Sequence, residues 1–161
     1  TLLRLGKLGG FDFNSRFYAD DDLMVGAADP FQLFRIMHEV VQGGGYAPEA
    51  GIAFMLDQCH NIEPKIPGQI RSVMNVQEST AKALLVDREA LAAAQENCDA
   101  LMALATLKQA FTTDVSPILA LARERAGGAI DPVAAYRASG YRQRKADERP
   151  ATKGAAASGI V

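Results

Sequence analysis

Two stretches of this chain read as β-strands, and a single helix separates them. Residues 8–14 place Phe11 and Phe13 on one side and Asp12 on the other, because side chains alternate across a strand. Residues 51–57 are almost continuously apolar and too short for a helix, the pattern of a parallel strand covered on both faces. Between them Asp29-Pro30 is a helix start, and Phe31, Phe34, Met37, His38 and Val41 recur at helical spacing. Gly43-Gly44-Gly45 closes that helix. Strand, helix and strand make a βαβ unit, the building block of parallel sheets. A two-stranded parallel sheet has two open edges and is not stable alone. The expected class is therefore α/β, with the missing strands supplied by further polypeptide.

After Asp57 the pattern is helical throughout. Residues 67–85 carry Ile70, Val73, Met74, Gln77, Ala81 and Leu84 along one side. Asp87 caps a longer helix, whose stripe is Leu91, Ala94, Cys98, Leu101, Ala105 and Lys108 or Phe111. Ser116-Pro117 and Asp131-Pro132 open two more, stopped by Gly127-Gly128 and Gly140. Residues 141–149 are charged, and 151–161 are rich in Ala, Gly and Ser without periodicity, as in a mobile tail. The expected division is 1–86 as a sheet-bearing segment, 87–149 as a helical extension and 150–161 as a tail.

Composition excludes more than it assigns. Of 161 residues 48% are hydrophobic and 22% charged, with net charge −2, ordinary for a soluble globular protein. That balance gives no electrostatic reason for a nucleic-acid or membrane partner. Cys59 and Cys98 fall in different predicted elements and make neither a disulfide framework nor a zinc signature, so a cytoplasmic setting is expected. The opening Thr1-Leu-Leu-Arg-Leu, without methionine, reads as a cut, and the chain as the C-terminal piece of something longer.

Chemistry concentrates in the aspartates. Asp12 and Asp57 lie at the C-terminal ends of the two predicted strands, and Asp20-Asp21-Asp22 follows on the first strand–helix loop. Three acids in a row are most often a solvated loop. An EF-hand is excluded, since counting from Asp20 the sixth residue is Val25 and the twelfth Phe31, where glycine and glutamate are required. Converging carboxylates repel strongly unless a cation gathers them. The expected metal ligands are Asp12, Asp20, Asp22 and Asp57, with Asp21 turned outward or hydrogen-bonded behind the ligands.

Residues Gly10-Phe-Asp-Phe-Asn-Ser-Arg-Phe-Tyr-Ala-Asp-Asp-Asp-Leu23 and Met55-Leu-Asp-Gln-Cys-His-Asn61 together resemble the C-terminal portion of the L-rhamnose isomerases, in the xylose-isomerase-like family. The resemblance runs from the first strand to about residue 149. It implies the last two βα units of a (β/α)8 TIM barrel, whose sites lie at the C-terminal ends of the strands, followed by a helical extension. It also implies two divalent ions, usually Mn2+ (Mg2+ or Co2+ serving in some), and a homotetramer. The implied reaction interconverts an aldose and a ketose, here L-rhamnose and L-rhamnulose, by a metal-assisted 1,2-hydride shift. An enediol route is the competing chemistry, and Asp57 could move the proton in either. By the same resemblance Asp12 and Asp57 hold the substrate-gripping ion, and Asp20 and Asp22 the catalytic one. One departure is Asp12, where L-rhamnose-type enzymes often carry histidine; aspartate favours the harder magnesium or manganese. The remaining ligands and the aromatic sugar contacts would lie before Thr1.

Other residues weigh less. His60 follows a strand end and reads as a hydrogen-bonded neighbour as readily as a ligand. His38, on an apolar helix face, reads as a packing histidine. The glycine clusters lack phosphate-loop spacing. Arg142, Arg144, Lys145 and Arg149, offset by Asp147 and Glu148, read as a solvated tail. The rival to an isomerase is a non-catalytic helical oligomerisation module whose acids only cap helices and solvate loops. A two-metal phosphodiester hydrolase is disfavoured, since Arg16 alone stands near to hold a phosphate.

Overall fold

The structure, a computed structural model, describes residues 1–19, 21–58 and 64–148. Its elements are β1 (Gly10–Phe13), α1 (Pro30–Gln42), β2 (Ala53–Leu56), α2 (Lys65–Leu84), α3 (Arg88–Glu96), α4 (Ala100–Thr112), α5 (Ser116–Arg125), α6 (Pro132–Ala138) and α7 (Tyr141–Glu148). β1 and β2 pair in parallel, with Asp12 opposite Met55 and Phe13 opposite Leu56. Gly10 faces Ala53 so closely that a Cβ there would lie 3.0 Å from the Ala53 carbonyl oxygen. Among the described residues these two strands are the whole sheet, and their outer edges are open.

One sheet face supplies the core. Phe13 is buried and stacks on Phe11 with ring centres 5.0 Å apart, so both point to the same side as the alternation predicts. Against them α1 presents Leu33, Phe34, Met37 and Val40, with Phe34 and Met37 fully buried. Each such side chain contributes about 1.5–3 kcal/mol relative to exposure. Asp29 caps α1 by accepting the Gln32 N–H at 2.9 Å, with Pro30 in the first turn, as read from the sequence.

The face that α2 buries is not the predicted one. Gly68, Ser72, Ser79, Thr80 and Ala83 are buried, whereas Val73 is 46% and Leu84 63% exposed. Small side chains let α1 and α2 approach closely, and their hydroxyls find partners: Thr80 Oγ1 donates to the Val76 carbonyl at 2.8 Å. The predicted apolar stripe is only partly covered: Ile70, Met74 and Ala81 are half-buried, and Val73 and Leu84 exposed.

The long helix expected after Asp87 is two. Cys98 adopts φ +54°, the Asp99 N–H returns to the Ala94 carbonyl at 2.8 Å, and Asp99 then caps α4 through the Met102 N–H at 3.0 Å. This left-handed stop resets the helical phase. Leu91 and Ala94 are buried as expected, but α4 turns Thr106 and Ala110 inward and leaves Leu101 82% exposed. Phe111 meets Phe31 edge-on at 5.1 Å, and Lys108 lies over the Phe31 ring at 4.8 Å, seating α4 beside α1. Arg123 of α5 reaches Gln77 Oε1 of α2 at 3.1 Å. At the charged end of the expected helical extension α7 forms, supported by Gln143 donating to Asp147 at 2.8 Å and by the Lys145–Glu148 pair at 2.5 Å. Among the described residues no helix is long and apolar enough to cross a membrane.

Candidate functional site

The C-terminal end of the sheet gathers the segments that carry the aspartates. Asp12 lies within β1 and is exposed. Asp57 follows β2 directly, and its N–H extends the ladder by donating to the Phe13 carbonyl at 3.0 Å. Since Asp12 pairs with Met55, alternation assigns Asp12, Met55 and Asp57 to one face, opposite the face that Phe13 turns to the core. Met55 is 48% exposed. By that register Asp12 and Asp57 lie on the same sheet face.

The loop after β1 turns back over that end. Ser15 and Leu23 exchange backbone hydrogen bonds at 3.0 and 2.7 Å as an antiparallel bridge. Asp22 has φ +41°, a conformation that aspartate tolerates better than most residues. Its Oδ1 accepts from the Asn14 side-chain amide at 3.0 Å. Asp21 turns into its own loop, where Oδ2 accepts the Phe17 and Tyr18 N–H groups at 3.1 and 3.2 Å, while Phe17 and Tyr18 stand exposed at the crown. Asp20, Cys59, His60 and Arg149 lie outside the described residues.

Beneath the loop is a buried polar cluster that the sequence did not disclose. The Val25 N–H donates to Ser72 Oγ at 3.0 Å, Ser72 Oγ donates to Gln58 Oε1 at 2.5 Å, and Asn75 Nδ2 donates to the Val25 carbonyl at 2.7 Å. A signal was present: Ser72 and Asn75 are polar, three apart and therefore on one face of α2. The more apolar stripe lies on the opposite side of the helix.

The donor set suits a hard divalent ion, since Asp12, Asp22 and Asp57 offer only carboxylate oxygen. Among the described residues, however, no three His, Cys, Asp or Glu side chains group closely enough to hold one. These residues alone do not complete a metal centre.

His38 has a packing role. It is buried, its ring lies 6.4 Å from that of Phe34, and Nε2 is 3.3 Å from Gln42 Nε2. Burial pushes its pKa below the ordinary value, against the opposing pull of Glu39. In the basic cluster Lys145 pairs with Glu148, and Arg144 donates to the Ser139 carbonyl.

Comparison with known proteins gives the same direction. The chain is 51% identical over 165 aligned positions to a protein named probable sugar isomerase from Mesorhizobium japonicum. It is 53% identical over the same length to another so named from Rhizobium meliloti. It is similar, along nearly all its length, to part of two proteins named probable sugar isomerases. In each case the match covers 99% of this chain and 37% of the relative, so the chain spans little more than a third of the curated relatives' length. No family model matches.

Proposed function

We propose that this chain forms part of a metal-dependent aldose–ketose isomerase, with L-rhamnose and L-rhamnulose as the leading sugar pair. The carrying observation is geometric. Asp12 and Asp57 come from adjacent parallel strands and share one face, and Asp22 is hydrogen-bonded to Asn14, the residue that follows β1. That is the placement of site residues in a (β/α)8 barrel, at the C-terminal ends of strands and on the loops that follow. In this reading β1–α1 and β2–α2 are the last two βα units, and α3–α7 are the helical extension.

Exposed apolar surface supports an incomplete barrel. A groove of about 350 Å3 runs along β2, lined by Phe54, Leu56, Tyr46 and Val73 among others. It forms a flank where further strands and helices would pack. Identity at about half of all positions with probable sugar isomerases supports the activity class.

Asp12 and Asp57 would hold one divalent ion, and Asp20 and Asp22 a second, with the other ligands supplied by the rest of the enzyme. Manganese is favoured, magnesium and cobalt being alternatives. When bound, such ions supply Lewis-acid polarisation of the sugar oxygens. Asp57 is the proposed proton carrier. The aldose O2–H proton leaves, the C2 hydrogen passes to C1 with its electron pair, and O1 takes up a proton, so no external oxidant or reductant is consumed.

A second reading, a helical assembly module, draws on Leu101, Met102 and Ile118, each more than half exposed on α4 and α5. The two are compatible if these helices form the contacts of a homotetramer. The test is an assay of the full-length protein with manganese on an aldose panel that includes L-rhamnose. Turnover abolished by Asp57→Asn and by Asp12→Asn supports the isomerase. Full-length protein that binds no divalent ion and converts no aldose rejects it.

A further inference from the structure

We infer that Ser72 is a positioning residue that locks the loop carrying Asp22 to the strand end carrying Asp57. Its effect on metal rests on the isomerase reading; the mechanical coupling does not. Ser72 is fully buried in the middle of α2, where a hydroxyl is tolerated only with partners. It has two, from segments far apart in sequence. Val25, 47 positions away, donates its N–H to Oγ at 3.0 Å, and Oγ donates to Gln58 Oε1, 14 positions away, at 2.5 Å.

The hydroxyl has one proton, so the chain of bonds has a single direction. Because that proton goes to Gln58, the oxygen presents a lone pair to Val25. Asn75 fixes the same residue at its other backbone group, since its amide donates to the Val25 carbonyl at 2.7 Å. Val25 is therefore held at both backbone groups by one face of α2, three residues beyond Asp22. Gln58 is bonded directly to Asp57. Two carboxylates that leave different strands are thus referred to one helix side chain, and displacement of either segment breaks a bond shared with the other. Rigid support of this kind keeps a ligand set within the narrow tolerance that metal binding needs.

The test is hydrogen exchange on the full-length protein without metal, followed by manganese titration. Ser72→Ala should speed exchange of the Val25 amide at least tenfold, while amides in the centre of α1 stay unchanged. Gln58→Met, a milder and nearly isosteric change, should also speed Val25, through the Ser72 hydroxyl that both engage. The double variant should add little to either single one, the signature of a coupled pair. Unaltered exchange at Val25 in Gln58→Met overturns the coupling. So does equal acceleration in α1, which would report general destabilisation. In the titration Ser72→Ala should weaken manganese binding at least tenfold. If the parent protein binds manganese and Ser72→Ala binds it equally well, the positioning role is overturned while the isomerase reading stands. If the parent binds none, that reading fails and the exchange data still decide the coupling.

Discussion

Asn14 and Asp22 are joined by a 3.0 Å hydrogen bond across the mouth of the loop that leaves β1. The bond sits beside the Ser15–Leu23 backbone bridge, so two neighbouring links hold the loop folded over the sheet end. It gives Asp22 a fixed place despite its left-handed backbone.

Asp22→Gly separates the chemical role of that residue from its structural one. Glycine relieves the positive φ, worth about 1 kcal/mol. Loss of the Asn14 bond costs about the same. The unfolding midpoint in urea should therefore stay close to that of the parent. Manganese affinity of the full-length protein, measured by titration, should fall at least a hundredfold. A large loss of stability with metal binding retained would assign Asp22 to the scaffold alone.

His38 gives the molecule an acid-side weakness. Its pKa is lowered by burial in the folded state, so the unfolded chain binds more protons below the ordinary histidine value of about 6.5. The sign follows. Stability from the neutral ring is complete above that value and declines as pH falls through the folded pKa. Urea midpoints from pH 8 to pH 5 should fall more steeply in the parent than in His38→Gln. Glu39 and Arg88, the charged groups nearby, act in opposite directions on this titration.

Val73 tests the apolar seam. It is 46% exposed and lines the groove beside β2. In the 161-residue chain alone Val73→Ser should change stability by no more than about 0.5 kcal/mol. In the full-length protein the same change should cost about 1–3 kcal/mol, because the groove would be filled. Equal effects in the two, read by urea denaturation, would mean that nothing packs there.

Cys98 occupies the left-handed stop between α3 and α4 and is exposed. Cys98→Gly should stabilise the chain by about 0.5–1 kcal/mol, since glycine adopts φ +54° without strain. A rise of a few degrees in melting temperature checks it.

Local chemistry made much of this architecture legible in advance. Alternation marked the first strand and a short apolar run the second, and Asp29-Pro30 and Asp131-Pro132 marked helix starts that the structure retains. The two long motifs around Asp12 and Asp57 pointed to a sugar isomerase, and the curated similarity runs the same way. Those signals depend on a few neighbouring residues, whose dihedral preferences and hydrogen bonds act wherever the chain is placed. Three features needed the folded molecule. The helix break at Cys98 arises in Asn97-Cys98-Asp99, where the helix-forming residues on both sides mask the stop. The inward face of α2 was settled by how closely α1 approaches, which favoured Ser72, Ser79 and Ala83 over the more apolar stripe. The bonds from Ser72 to Val25 and Gln58 join residues that are neighbours only after α2 has docked, and no spacing along the chain encodes them.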